Sequence, residues 1–223
     1  MALKEDILLE KNFCIIDNFL GEDLREKVWK YFQNLDFTFV NNSKWKKVFH
    51  PNDGTPLESK TFTYKHENII NNYPTGLSID ILFDELNKHN EFVDLYIGKN
   101  WKWYYLKPFI YPINSSLQWH DDGYSLGAFI YYCHNNWKTE WGGELLVSNK
   151  IEKYNNDKLK NSEIFFDNNF YSDLINDQKF YYSIPPKKDR AIFIKSKTLH
   201  KVNSVSNNAG NNMRCSISGQ FYG

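Results

Sequence analysis

Apolar residues at Leu24, Val28, Tyr31, Phe32 and Leu35 follow the three-and-four spacing of one helix face, and Glu22 and Asp23 open that segment where a helix dipole favours acids. Ile79, Leu82, Phe83 and Leu86 repeat the pattern and predict a second helix. Ahead of both, Asn12 to Asp17 reads as a short strand. Most of the remaining chain breaks into short runs of strand-type composition punctuated by Asn, Asp, Gly or Pro. These runs are Phe37 to Val40, Lys60 to Tyr64, Trp101 to Ile110, Ser116 to His120, Ala128 to His134, Glu144 to Ser148, Ala191 to Ile194 and Met213 to Phe221. Two helices before a series of strands predict helices packed on one face of a β-sandwich or barrel. Residues 150 to 180 are polar and irregular, and read as an inserted surface excursion, either a functional lid or a disordered loop.

Composition strengthens the β reading, because alanine occurs only four times against 15 tyrosines, 17 phenylalanines and seven tryptophans, whose broad side chains suit a pleated, half-buried surface. A chain of 223 residues with 41% hydrophobic positions is long enough for one sizeable core, so a single domain is expected. The 27 basic and 27 acidic residues cancel, which argues against a generic nucleic-acid binder. Three widely separated cysteines, Cys14, Cys133 and Cys215, fit a reducing compartment better than a disulfide framework. The first residues, Met1 to Asp6, turn acidic at once, and the apolar runs stop far short of the roughly 20 residues of a membrane span. A cytoplasmic location with no membrane partner is the expectation.

The candidate chemistry lies in Gln118-Trp119-His120-Asp121-Asp122-Gly123. On a strand, positions i and i+2 point to the same side, so His120 and Asp122 can reach one metal ion. His200, in Thr198-Leu199-His200-Lys201-Val202, stands at the end of another predicted strand and can complete a face of two histidines and one carboxylate. That donor set, with three positions left open, is the arrangement of non-haem Fe(II) oxygenases. Arg214 follows, with Ser216 on the same strand face, so a guanidinium and a hydroxyl can converge on an anion such as a carboxylate.

These residues sit in five ordered motifs: Asn12 to Leu20, His120-Asp121-Asp122, Trp141-Gly142-Gly143-Glu144-Leu145, Asp189 to Ile194 leading to His200-Lys201-Val202, and Arg214-Cys215-Ser216-Ile217-Ser218-Gly219. In that order and spacing the chain resembles, nearly end to end, the Fe(II)/2-oxoglutarate dioxygenase superfamily, in particular its prolyl-4-hydroxylase-like branch. The resemblance implies a mainly β fold, a double-stranded β-helix or jelly roll with N-terminal supporting helices. Residues 1–95 would be the helical support and outer strands, and 96–223 the jelly-roll core with the insertion at 150–180.

The resemblance also implies that His120, Asp122 and His200 ligate Fe(II), and that Arg214, helped by Ser216, pairs with the distal carboxylate of 2-oxoglutarate. A tyrosine on the preceding strand often contacts the co-substrate; Tyr104 and Tyr111 compete for that role, and Tyr111 is favoured. The implied reaction couples O2 and 2-oxoglutarate to hydroxylation of an unactivated C–H bond, with succinate and CO2 as co-products and ascorbate as supporting reductant. Asp122 occupies the place where related halogenases have a small residue that leaves room for chloride, so hydroxylation is favoured. The implied substrate is a peptidyl proline, a free amino acid or a related metabolite, and family members include both monomers and homodimers.

Other residues carry weaker expectations. The strand period turns Asp121 away from the metal, to the surface or behind the ligands. His134 suits a polar surface or substrate-pocket position, and His50, His66 and His89 read as solvated. Candidate substrate loops are Trp45 to Lys47, Lys60 to His66, and Lys150 to Phe180. Two competing readings are a nucleobase-directed oxygenase, which the balanced charge disfavours, and a catalytically silent metal-binding jelly roll, which has no need of the Arg-x-Ser pair.

Overall fold

In the computed structural model, residues 6–40, 51–151 and 168–223 are described. Thirteen strands among them form two sheets. The larger contains β1 (Asp6–Leu9), β2 (Phe13–Asp17), β3 (Thr38–Phe39), β4 (Leu57–Glu58), β5 (Phe62–Tyr64), β6 (Trp103–Tyr111), β8 (Gly127–Tyr132), β11 (Arg190–Lys195) and β13 (Arg214–Tyr222). Its order is β1-β2-β11-β8-β13-β6-β4-β3, with β5 also paired to β6. The smaller runs β10 (Tyr181–Ile184), β9 (Leu145–Ile151), β12 (Thr198–Val202), β7 (Leu117–His120). All ladders are antiparallel, and the protein is mainly β with a jelly-roll core.

Side-chain alternation explains how one sheet serves two cores. On β8, Ala128, Ile130 and Tyr132 face the smaller sheet, where Leu145, Val147 and Ile184 meet them. Phe129, Tyr131 and Cys133 point the other way, into a second core shared with the helices. A strand covered on both sides reads as an unbroken apolar run, as Ala128 to Cys133 does. Helix α1 (Glu22–Gln33) contributes Val28 and Phe32 to the second core, and α2 (Asp80–Lys88) contributes Leu82, Phe83 and Leu86. Both predicted helices therefore form and lie on one face of the large sheet.

Two helices and three strands escaped the sequence reading. Helix α3 (Asn90–Tyr96) follows α2 directly and is too short to display a helical period, yet it buries Phe92, Val93 and Tyr96. Helix α4 (Asn168–Asn176) lies inside the expected irregular excursion. Tyr171 and Ile175 of α4 are buried with Leu199 and against Trp119, on the outer side of the smaller sheet. At least this part of the insertion is thus a packed element; residues 152–167 lie outside the described residues. The exposed edge strand β1, the two-residue β4 and the short β10 are the three missed strands.

The Gly-Gly pair before β9 has a conformational cause. Gly142 (φ 70°) and Gly143 (φ 72°) both lie in the left-handed region, and a Cβ on Gly142 would stand 2.4 Å from the Ser204 carbonyl oxygen. The turn they make aims the Gly143 carbonyl at Arg214.

Candidate active site

His120 ends β7 and pairs in register with His200 on β12, bringing two residues 80 positions apart to ring centroids 4.2 Å from each other. Asp122 arrives differently from expectation. Strand β7 stops at His120, and the carboxylate is turned back by a left-handed residue, φ 59° at Asp122 itself. Its Oδ2 lies 3.4 Å from His200 Nε2 and its Oδ1 lies 3.6 Å from His120 Nε2. One donor atom from each of the three residues falls within 4.8 Å of the other two.

The donors fit a divalent cation. His120 Nδ1 is 2.7 Å from the carbonyl of Gln118 and His200 Nδ1 is 2.9 Å from that of Thr198, so each Nδ1 carries the proton and donates it, leaving the Nε2 lone pair directed at the common point. Burial alone would raise the Asp122 carboxyl, but the neighbouring His200 and His120, with a hydrogen bond from Gln220, hold it down to about 2. The same carboxylate outweighs burial at His200 and raises its pKa. Two imidazoles and one carboxylate, with no thiolate, suit Fe(II).

Arg214 lies in the same cavity, with only 1% of its surface exposed. Nε donates to the Gly143 carbonyl (2.8 Å), Nη2 to the Tyr132 hydroxyl (3.1 Å) and Nη1 to Ser216 Oγ (3.3 Å). The guanidinium also sits 5.0 Å over the Tyr111 ring and 4.9 Å over that of Tyr132. Among the described residues no carboxylate pairs with it. A buried, hydrogen-bonded cation facing a cavity is a seat for an anion, and a dicarboxylate that also reaches the metal donors matches it.

The two tyrosines separate cleanly. Tyr111 pairs with Arg214 in the ladder and lines the cavity. Tyr104 does not: it packs on the helix side with Tyr64, Phe83 and Phe221, and its hydroxyl has no hydrogen-bond partner among the described residues. They are seven positions apart on β6, an odd number, so alternation turns them to opposite faces.

Asp121, expected at the surface or behind the ligands, takes the second of these places: it is 2% exposed, and its Oδ1 accepts from the Gly123 amide (3.1 Å) and the Tyr171 hydroxyl (3.2 Å). Other expectations are corrected. His134 is buried outside the metal cavity; Nε2 donates to the Pro186 carbonyl (2.7 Å) and Nδ1 accepts from the Cys215 amide (3.3 Å). His89 is buried and stacks on Phe19, while His66 is half-buried edge-on to Trp103. Phe62 and Thr63 of the supposed substrate loop are buried where β5 pairs with β6. His50 and Trp45 to Lys47 lie outside the described residues.

Several residues of the site escaped the sequence reading: Tyr105, Ser218 and Gln220, which line the cavity, and Tyr132, which holds Arg214. Period-two alternation was the available signal. Starting from Arg214 and Ser216, it places Ser218 and Gln220 on the same face of β13.

Comparison with known proteins gives a family and a fold. Residues 107–222 match the model of the 2OG-Fe(II) oxygenase superfamily. Among solved structures, a Pseudomonas putida prolyl-4-hydroxylase is similar at TM-score 0.62 and 11% identity, covering 95% of this chain and 93% of that one. A 2OG-Fe(II) oxygenase family oxidoreductase from Burkholderia pseudomallei follows at 0.58 and 12%, covering 96% and 86%. IDO from Bacillus thuringiensis gives 0.54 and 14%, covering 95% and 89%. No curated protein matches significantly.

Proposed function

Because this chain belongs to the 2OG-Fe(II) oxygenase superfamily, we propose that it hydroxylates an unactivated C–H bond of an amino-acid-type substrate, a peptidyl proline or a free amino acid or related metabolite. The enzyme class itself, an Fe(II)- and 2-oxoglutarate-dependent dioxygenase, follows from the family. In this reading His120, Asp122 and His200 hold the metal, and Arg214, Ser216 and Tyr111 hold the far carboxylate of 2-oxoglutarate. The observation that carries it is the buried Arg214 sharing one cavity with the three donors.

When bound, Fe(II) supplies oxidative decarboxylation of 2-oxoglutarate by O2, to succinate and CO2, and the oxidising equivalent that hydroxylates the substrate. The protein's part is placement and exclusion. Arg214 anchors one end of the co-substrate through its fixed fork, held by Gly143 and Tyr132. Phe109, Leu117, Leu145 and Val202 line the same cavity and keep water from it. Asp122 fills the place a halide would need, so hydroxylation is the proposed outcome. Residues 1–223 are proposed as one domain, supported by the core that α1, α2 and α3 share with the large sheet.

The amino-acid preference draws on the fold shared with a prolyl-4-hydroxylase. No described helix is long and apolar enough to cross a membrane. The test is turnover with Fe(II), ascorbate, O2 and 2-oxoglutarate, following succinate while free amino acids and proline-containing peptides are added singly. Succinate that rises with one class and vanishes in His200→Ala supports the reading and identifies that class. Binding of both Fe(II) and 2-oxoglutarate without succinate overturns the amino-acid preference; binding of neither overturns the metal assignment.

A further inference from the structure

Asp122 is held from behind. Gln220 Nε2 donates to Asp122 Oδ1, and Gln220 Oε1 accepts from the Tyr105 hydroxyl (2.9 Å) and the Tyr222 hydroxyl (2.6 Å). A carboxylate can only accept, so the amide must turn its NH2 group toward Asp122. That leaves the amide oxygen for two phenols, which burial keeps protonated: Tyr222 is pushed up to about 12, and Tyr105 well above its ordinary value. The chain Tyr105 and Tyr222, Gln220, Asp122 is therefore polarised in one direction, every donor pointing toward the carboxylate.

We propose that Gln220 is a positioning residue that makes Asp122 a one-oxygen ligand, by occupying Oδ1 and leaving Oδ2 for the metal. This rests on the iron reading above. Oδ2 is the oxygen 3.4 Å from His200 Nε2, while Oδ1, at 3.6 Å from His120 Nε2, is the oxygen that carries the amide. The consequence lies in the number of coordination positions. Three protein donors would leave three positions of a bound Fe(II) ion for the co-substrates. A carboxylate binding through both oxygens would take one of them. Asp122 is vulnerable to that change, because it sits past the end of β7 in a left-handed turn and no strand ladder fixes its side-chain plane. Gln220 supplies the missing constraint from β13, the strand that also carries Arg214.

The test uses the full-length protein without O2. Fe(II)-loaded protein is titrated with 2-oxoglutarate, and the visible charge-transfer band of the chelate is read for position and for dissociation constant; Fe(II) affinity is measured separately. In Gln220→Leu, the 2-oxoglutarate dissociation constant rises by about tenfold or more and the band shifts, with a smaller change in Fe(II) affinity. The Tyr105→Phe/Tyr222→Phe double variant keeps the amide, loses both its donors, and moves both readings the same way by a smaller factor. It carries the test should Gln220→Leu fail a thermal-melt check of folding. Wild-type band position and dissociation constant in a folded variant overturn the inference. A wild-type protein that forms no band overturns the iron reading instead.

Discussion

The Tyr171 hydroxyl lies 3.2 Å from Oδ1 of Asp121, and that bond ties helix α4 to the residue between two of the candidate metal ligands. The same oxygen accepts from the Gly123 amide at 3.1 Å, so the turn after His120 is held both from within and from the insertion. Tyr171→Phe keeps the ring against Leu199 and removes only the hydroxyl. It should cost about 1.5–3 kcal/mol in urea unfolding, the range for a hydrogen bond to a charged group. Fe(II) affinity should weaken a few-fold; an unchanged unfolding midpoint would show that α4 does not brace the turn.

Tyr104 and Tyr111 should respond oppositely to the same change. Tyr104→Phe removes a buried hydroxyl that has no partner among the described residues, so stability should hold or rise slightly and the KM for 2-oxoglutarate should stay at the wild-type value. Tyr111→Phe removes the hydroxyl of a cavity-lining residue beside Arg214 and should raise that KM several-fold. Steady-state kinetics of the two variants decide it, and a raised KM in Tyr104→Phe would refute the assignment.

Position 142 should tolerate alanine far less than position 76, a glycine of nearly the same positive φ. At Gly142 the added carbon would meet the Ser204 carbonyl oxygen at 2.4 Å, whereas at Gly76, with φ 74°, nothing lies within 4 Å. Gly76→Ala should cost about 1 kcal/mol from backbone conformation alone, and Gly142→Ala about 3 kcal/mol or more because the backbone must also move. Comparable denaturation midpoints for the two would count against this account.

His134 should make stability fall in mild acid. Burial holds its pKa down at about 4, against an ordinary value near 6.5. The unfolded chain therefore takes up the proton first, and the stability contributed by the neutral ring is complete above about pH 6.5 and lost as pH falls toward 4. Between pH 7 and pH 5 the loss should be about 2 kcal/mol. His134→Gln, which does not titrate, should show a pH dependence flatter by that amount in urea unfolding. Parallel curves for the two proteins would rule the effect out.

Much was legible along the chain because it depends on local periodicity. The face of α1 could be read from Leu24, Val28 and Phe32, and the double burial of β8 from its unbroken apolar run. His120, Asp122, His200 and Arg214 were picked out by residue type and order. The β6 alternation that separates Tyr104 from Tyr111 was also present in the sequence and went unused.

What the tertiary structure alone decided is how distant segments meet. The β7–β12 register sets His120 against His200, and the left-handed turn at Asp122 breaks the strand period that would have aimed its carboxylate. Burial of His134 and His89 and the packing of α4 on Leu199 depend on neighbours far along the chain. Gln220 finds Asp122 across 98 positions. Side-chain periodicity is a property of neighbouring residues and is written in the sequence. Pairing, depth and the direction of a hydrogen bond arise only when non-adjacent strands close on one another, and there the site acquires its geometry.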